Sequence, residues 1–186
     1  MDVPSPLPRL PRRSARLARS SLRSVTSLLG CAALIVSAMV GGLAASAPAA
    51  SAATCGTTNV ALGKAASASS VENASFPAAN AVDGNTGTRW SSGFSDPQWL
   101  EVDLGSSQSV CGVTLNWEAA YGKAFQIQVS SDNTNWTSIF STTAGTGGVQ
   151  NLTGLSGTGR YIRMFGTVRG TQYGYSLWEF QVLATG

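Results

Sequence analysis

The chain alternates between apolar and polar residues in short runs, and almost nowhere repeats at a helical period. Leu100, Val102 and Leu104 fall on one side of Trp99–Leu104, with Glu101 and Asp103 on the other. Val113, Leu115 and Trp117 repeat the pattern, then Phe125, Ile127 and Val129, then Trp136 to Phe140 and Tyr161 to Phe165. In Ser176–Leu183, Trp178, Phe180 and Val182 alternate with Glu179 and Gln181. A spacing of two puts every second side chain on one face of an extended strand. Val60–Ser70, rich in small residues, reads as a first strand. Turns are predicted at Phe76-Pro77, Asp83-Gly84-Asn85 and Ser131–Asn135, and a glycine loop at Gly145–Gly148. About eight short antiparallel strands with regular turns predict an all-β sandwich or barrel. No internal repeat is present.

The first 52 residues follow a different rule. Arg9, Arg12, Arg13, Arg16, Arg19 and Arg23 precede the apolar stretch Leu28–Leu43, and Ala50-Ser51-Ala52 has the small residues of a cleavage site. Residues 1–52 read as a secretory signal peptide and 53–186 as one domain; the interrupted apolar stretch is short for a membrane anchor. This reverses the charge argument. The formal net charge of +3 comes from twelve basic and nine acidic residues. Six of the bases and one acid, Asp2, lie in the leader, so the remaining domain has six bases, eight acids and a net charge of −2. A nucleic-acid partner, which wants a basic surface, loses its support. No membrane span is expected after cleavage, and a secreted monomer is.

Composition also limits the chemistry. The chain has no histidine, which removes Ser/His/Asp and Cys/His nucleophile systems and imidazole zinc sites. Glu72 and Glu118 are the one carboxylate pair that suggests glycoside hydrolysis, but so small a domain without a groove-forming insertion favours binding over cutting. Cys55 and Cys111 remain after the leader. An even count in an exported chain predicts a disulfide, tying the new N-terminus to a mid-domain strand, with two buried thiols as the alternative.

Two constellations bear on function. Asp83, Asn85 and Thr88 offer oxygens of the kind a hard cation prefers, and Glu179 could add a carboxylate from elsewhere; the same spacing fits a solvated Asp-Gly turn. Glu72, Arg89, Phe94, Trp117, Glu118, Tyr121, Tyr173, Tyr175 and Trp178 form an aromatic and charged set. Aromatic rings cover the C–H faces of sugars, and charged groups meet their hydroxyls. Trp178, Trp90, Trp99 and Trp136 are expected in the core. Phe94 and the tyrosines sit in glycine-flanked segments that predict loops.

The runs NVALGKAASASS, ANAVDGNTGTRWSS, DPQWLEVDLG, LNWEAAYGKAFQIQVSSDNTNW and GRYIRMFGTVRGTQYGYSLWEFQV closely resemble the discoidin domain, also called the coagulation factor 5/8 type C domain, whose bacterial members include family 32 carbohydrate-binding modules. The resemblance runs from Asn59 to Leu183. It implies a jelly-roll β-sandwich with ligand-binding loops at one end. It implies a structural calcium held by the side chains of Asp83, Asn85, Thr88 and Glu179, with carbonyls from Asn80 and Trp178. Galactose-binding members use a histidine, which is absent here. WEAAYGKAF and RGTQYGYSLWEF instead resemble modules attached to chitosanases and β-glucanases. The resemblance thus implies a non-catalytic binder of chitosan or β-glucan using Glu72, Arg89, Phe94, Glu118, Tyr121 and Tyr175, with Tyr173 in the same loop. Phe94 lacks the hydroxyl a tyrosine would bring. The competing readings are an adhesion or lipid-surface module and a small glycosidase.

Overall fold

The computed structural model describes residues 54–186; the expected signal peptide lies outside them. The elements are β1 (Cys55–Asn59), β2 (Ala65–Ala68), a 3-10 turn (Ala78–Ala81), β3 (Trp90–Ser91), β4 (Gln98–Trp117), β5 (Gly122–Ser130), β6 (Thr137–Thr142), β7 (Val149–Arg169) and β8 (Ser176–Thr185). All pairings are antiparallel, in the order β1-β8-β4-β7-β5-β6, with β2 on β4 and β3 on β8. This is the all-β architecture the alternation predicts, and the jelly-roll β-sandwich the resemblance implies.

The long strands β4 and β7 make two layers from one hydrogen-bonded path. Gln98–Asp103 pairs with the C-terminal part of β7, and Gly112–Asn116 with its N-terminal part. Between them the register shifts twice, and Gly105 takes a positive φ of 83°. Such irregularities bend a strand and let it pass from one layer to the other. Leu100, Val102, Ile127, Ile162 and Met164 then face Val113, Leu115, Phe180 and Val182 across the core, each nearly or fully buried.

Sequence and structure part in four places. Val60–Ser70 is not one strand: the chain turns after Asn59 and resumes extended structure only at Ala65–Ala68. Val149–Gly157, too rich in glycine and polar residues to read as a strand, is the N-terminal part of β7. Trp178 sits at a bulge, because Asn116 pairs with Glu179 but Trp117 pairs with Leu177. The bulge breaks the alternation, so Leu177 joins Phe180 and Val182 in the core while Trp178 is half-buried. Trp90 and Trp117 are core residues; Trp99 and Trp136 are only half-buried. Trp136 covers the Arg163 guanidinium at 4.0 Å instead.

The outer face of the sheet carries a two-pronged ion pair. Arg160 donates from Nε and Nη2 to the two oxygens of Asp103, both at 2.7 Å. Chiefly through these hydrogen bonds, the Asp103 carboxyl is lowered from 3.8 to about 2. A depressed carboxylate stabilises the fold fully above the unfolded value and loses that contribution as pH falls through the folded one. Arg160→Ala is therefore expected to remove stability between about pH 4 and neutrality and to converge with the parent near pH 2. The pair is solvent-exposed, so the difference should be small in urea titrations run across that range.

Candidate functional site

The loops at one end of the sandwich enclose a shallow pocket of about 230 Å³. Glu72, Arg89, Phe94, Glu118 and Tyr173 line it, with Ser91, Ala119 and Ala120 beneath. Each side chain reaches it from a different connection. The Glu72 amide donates to the Ser91 carbonyl at 2.7 Å, which hangs that loop on β3. The Glu118 amide donates to the Ser176 carbonyl at 3.0 Å, which fixes the end of β4 against β8.

Arg89 is the most constrained of these groups. Its guanidinium lies 3.7 Å from the centre of the Phe76 ring, and Nη1 donates to Ser176 Oγ at 2.8 Å. Nη2 stands 3.6 Å from Glu72 Oε2. Glu72 is thus partly neutralised. Glu118 is different: its Oε2 accepts the Ala120 amide at 3.0 Å, and its other oxygen has no hydrogen-bond donor among the described residues. Ion pairs among the described residues join Arg89 to Glu72, Arg160 to Asp103 and Arg169 to Asp96, so Glu118 turns an uncompensated negative charge toward the pocket.

Phe94 and Tyr173 form the apolar wall. Both are 51% exposed, and their rings meet edge to face with centroids 5.9 Å apart. Two exposed rings in contact make an apolar patch, and such a patch beside a pocket marks a binding site. Two other candidates from the sequence do not reach the pocket. Tyr175 is fully buried; its hydroxyl donates to Asp96 Oδ1, and its ring passes where a Cβ on Gly166 would stand. Burial, then the Asp96 hydrogen bond, pushes that hydroxyl well above the usual tyrosine range. Tyr121 is half-buried and lays its ring over Gly147 and Gly170. Both tyrosines support the loops from behind. The sequence reading missed Asp96 and Arg169, whose link between two loops had no local signal beyond a turn at Ser95-Asp96-Pro97.

A second polar cluster lies around the Asp83 loop. Asp83 accepts the Asn85 amide at 2.8 Å and the Thr88 hydroxyl at 2.7 Å, and Gly84 holds a φ of 79°. Asn80 donates its side-chain amide to the Arg89 carbonyl at 3.2 Å. Facing the loop is Glu179, 2% exposed, with no hydrogen-bond partner for either carboxylate oxygen. Its carboxyl is raised above 4.5, first by burial and then by the charge of Asp83; the Gly84 and Asn85 amides oppose this but do not reach bonding geometry. A buried carboxylate without a partner is costly and calls for a cation or a proton. The set fits calcium, which accepts carboxylate, amide, hydroxyl and carbonyl oxygens together. It does not fit a metal that needs three or more His, Cys, Asp or Glu ligands, since the described residues hold no such group. The bulge leaves Trp178 without a cross-strand partner beside Glu179.

Comparison with known proteins agrees with the fold. Chitosan-binding module 1 of a chitosanase/glucanase from Paenibacillus sp. IK-5 is 55% identical, over 67% of this chain and 98% of that one, with a TM-score of 0.65. Module 2 of the same enzyme, solved with chitotriose, is 48% identical over 67% and 98%, also with a TM-score of 0.65. A 73-residue segment is 40% identical to the polysaccharide lyase 8 family protein HylA of Enterococcus faecalis, and amounts to 39% of this chain but 5% of that protein. The F5/8 type C domain model matches residues 65–180, and on that match the chain belongs to the F5/8 type C, or discoidin, domain family.

Proposed function

We propose that the chain is a secreted, non-catalytic module that binds extracellular polysaccharide, with chitosan as the preferred ligand. The uncompensated Glu118 carboxylate carries this reading. It lines the same pocket as the Phe94 and Tyr173 rings, a combination suited to a glucosamine unit with an ammonium group and an apolar ring face. The similarity to modules whose names record chitosan binding supports it. Arg89, held against Ser176 and Glu72, is placed to meet ring hydroxyls. Phe94 covers a sugar face but contributes no hydroxyl, so affinity rests on Glu118, Arg89 and the ring pair. Only one or two sugar units can be covered, so affinity should be modest. We further propose that calcium occupies the Asp83–Glu179 cluster and fixes the end of β8 next to the pocket.

Retention on insoluble chitosan, chitin, curdlan and cellulose tests the ligand. The protein should be held on chitosan. Glu118→Ala should bind about 10- to 100-fold more weakly, the range expected for one charge-assisted hydrogen bond. Retention on curdlan alone would move the ligand to a neutral β-glucan. Binding to anionic vesicles and to no polysaccharide would move it to a lipid surface. Release of reducing sugar that vanishes in Glu118→Gln would make the chain a glycosidase.

A further inference from the structure

The two exposed rings of the pocket stand on separate loops, and one hydrogen-bond network, buried at Ser92 and Tyr175 and partly exposed at Asp96 and Arg169, joins those loops. Ser92 and Tyr175 exchange hydrogen bonds: the Ser92 amide donates to the Tyr175 carbonyl and the Tyr175 amide to Ser92 Oγ, both at 2.9 Å. Beyond this bridge, Asp96 is shared. One oxygen accepts the Tyr175 hydroxyl, and the other faces Arg169 Nε at 3.2 Å. Arg169 in turn donates from Nη1 to the carbonyls of Gln172 and Tyr173, both at 3.3 Å. The Asp96–Arg169 pair is thereby tied to the backbone of Gln172 and Tyr173.

We infer that Asp96 is a positioning residue for ligand binding, which acts through Arg169 and Tyr175 to hold the rings of Phe94 and Tyr173 in contact as one preformed wall. This inference rests on the polysaccharide reading of the pocket. Without Asp96, Arg169 loses its anionic partner and Tyr175 the acceptor of its hydroxyl, and the 170–174 loop keeps the Ser92 bridge and the bond from the Gly170 amide to the Tyr121 carbonyl but loses its tie to the Phe94 loop through Asp96. Each ring would then be ordered at the moment of binding, which weakens affinity without removing any group that touches the ligand. The edge-to-face geometry also bears on ligand class. Rings that meet at a corner cannot sandwich a sugar, so the wall takes one face of a pyranose and leaves the rim to Glu118 and Arg89.

The test is a double-mutant cycle in the full protein, with chitosan oligosaccharide as probe and ring-to-ring NMR contacts recorded without ligand. In the parent, Phe94→Ala should weaken binding about tenfold. Asp96→Ala should weaken it by a similar factor and erase the Phe94–Tyr173 contact. In the Asp96→Ala background the further loss from Phe94→Ala should shrink to about twofold, because the wall is already dispersed. Asp96→Asn keeps an acceptor for Tyr175 and serves if the alanine variant does not fold; it should show the same coupling in reduced degree. An undiminished Phe94→Ala loss together with an intact ring contact would overturn the inference. If the parent binds no saccharide, the polysaccharide reading falls, while persistence or loss of the ring contact still decides the role of Asp96.

Discussion

Glu179→Gln is expected to make the protein more stable than the parent in chelator, and to abolish the gain that calcium gives the parent. The two effects have one cause. In the parent without metal, the carboxylate is 2% exposed, lacks a hydrogen-bond partner and faces Asp83. Folding must then strip water from a charge or hold a proton on it, and either lowers stability. A glutamine of the same shape has no charge to desolvate. Calcium reverses the balance in the parent alone. A ligand that binds only the native state at a hundred times its dissociation constant adds about 2.7 kcal/mol, or roughly 10 °C in melting temperature for a domain of this size. Thermal melts of both proteins, with calcium and with chelator, should therefore cross. The β spectrum should survive chelation, since the core on the other side of β8 needs no metal. Identical parent melts under the two conditions would remove calcium from the Asp83 loop and leave Glu179 as a buried protonated acid.

Loss of the Cys55–Cys111 disulfide is expected to have the largest effect on stability of any single change considered. The bond joins β1 to the middle of β4, with Cα atoms 5.5 Å apart, and spans a sequence separation of 56. A loop of that size restricts the unfolded chain by about 4 kcal/mol in the chain-entropy treatment. The native side gains as well. β1 is an edge strand that pairs with β8 in broken register, so little else holds it in place. Guanidinium unfolding of Cys111→Ala should show most of that loss, and the Cys55→Ala, Cys111→Ala double variant should be no worse than the single one. A loss below 1 kcal/mol, or additive losses, would mean that the bridge contributes through something other than chain restriction. Ligand retention in the folded fraction should be unchanged, since β1 contributes no residue to the pocket.

The all-β architecture was legible because its signal is local. Leu100, Val102 and Leu104 alternate with Glu101 and Asp103, and that alternation alone places them on opposite faces of β4. Where the local pattern was weak, the reading failed for a physical reason. Val149–Gly157 carries few apolar residues because its outer side is exposed, yet cross-strand hydrogen bonds to β4 hold it extended. At Trp178 the alternation was present but a bulge overrode it, and no residue in the segment signals which position will be extra.

The candidate site divides in the same way. Residue chemistry by itself determined what the domain can offer: no histidine, one pair of glutamates near aromatic loops, one oxygen-rich turn, and two cysteines able to join. Those properties belong to single residues and short spacings. Only the tertiary structure decided which of them act together. Tyr173 and Tyr175 lie two residues apart in the same glycine-flanked loop, yet one ring is half-exposed at the pocket and the other is fully buried. The difference comes from Gly166, which leaves room for the buried ring, and from Asp96, which accepts its hydroxyl. Both are remote in sequence. Glu72 and Glu118 likewise differ only because Arg89 is turned toward one of them by Phe76 and Ser176. Exposure and charge compensation are properties of neighbours brought together by folding, so no spacing along the chain could have assigned them.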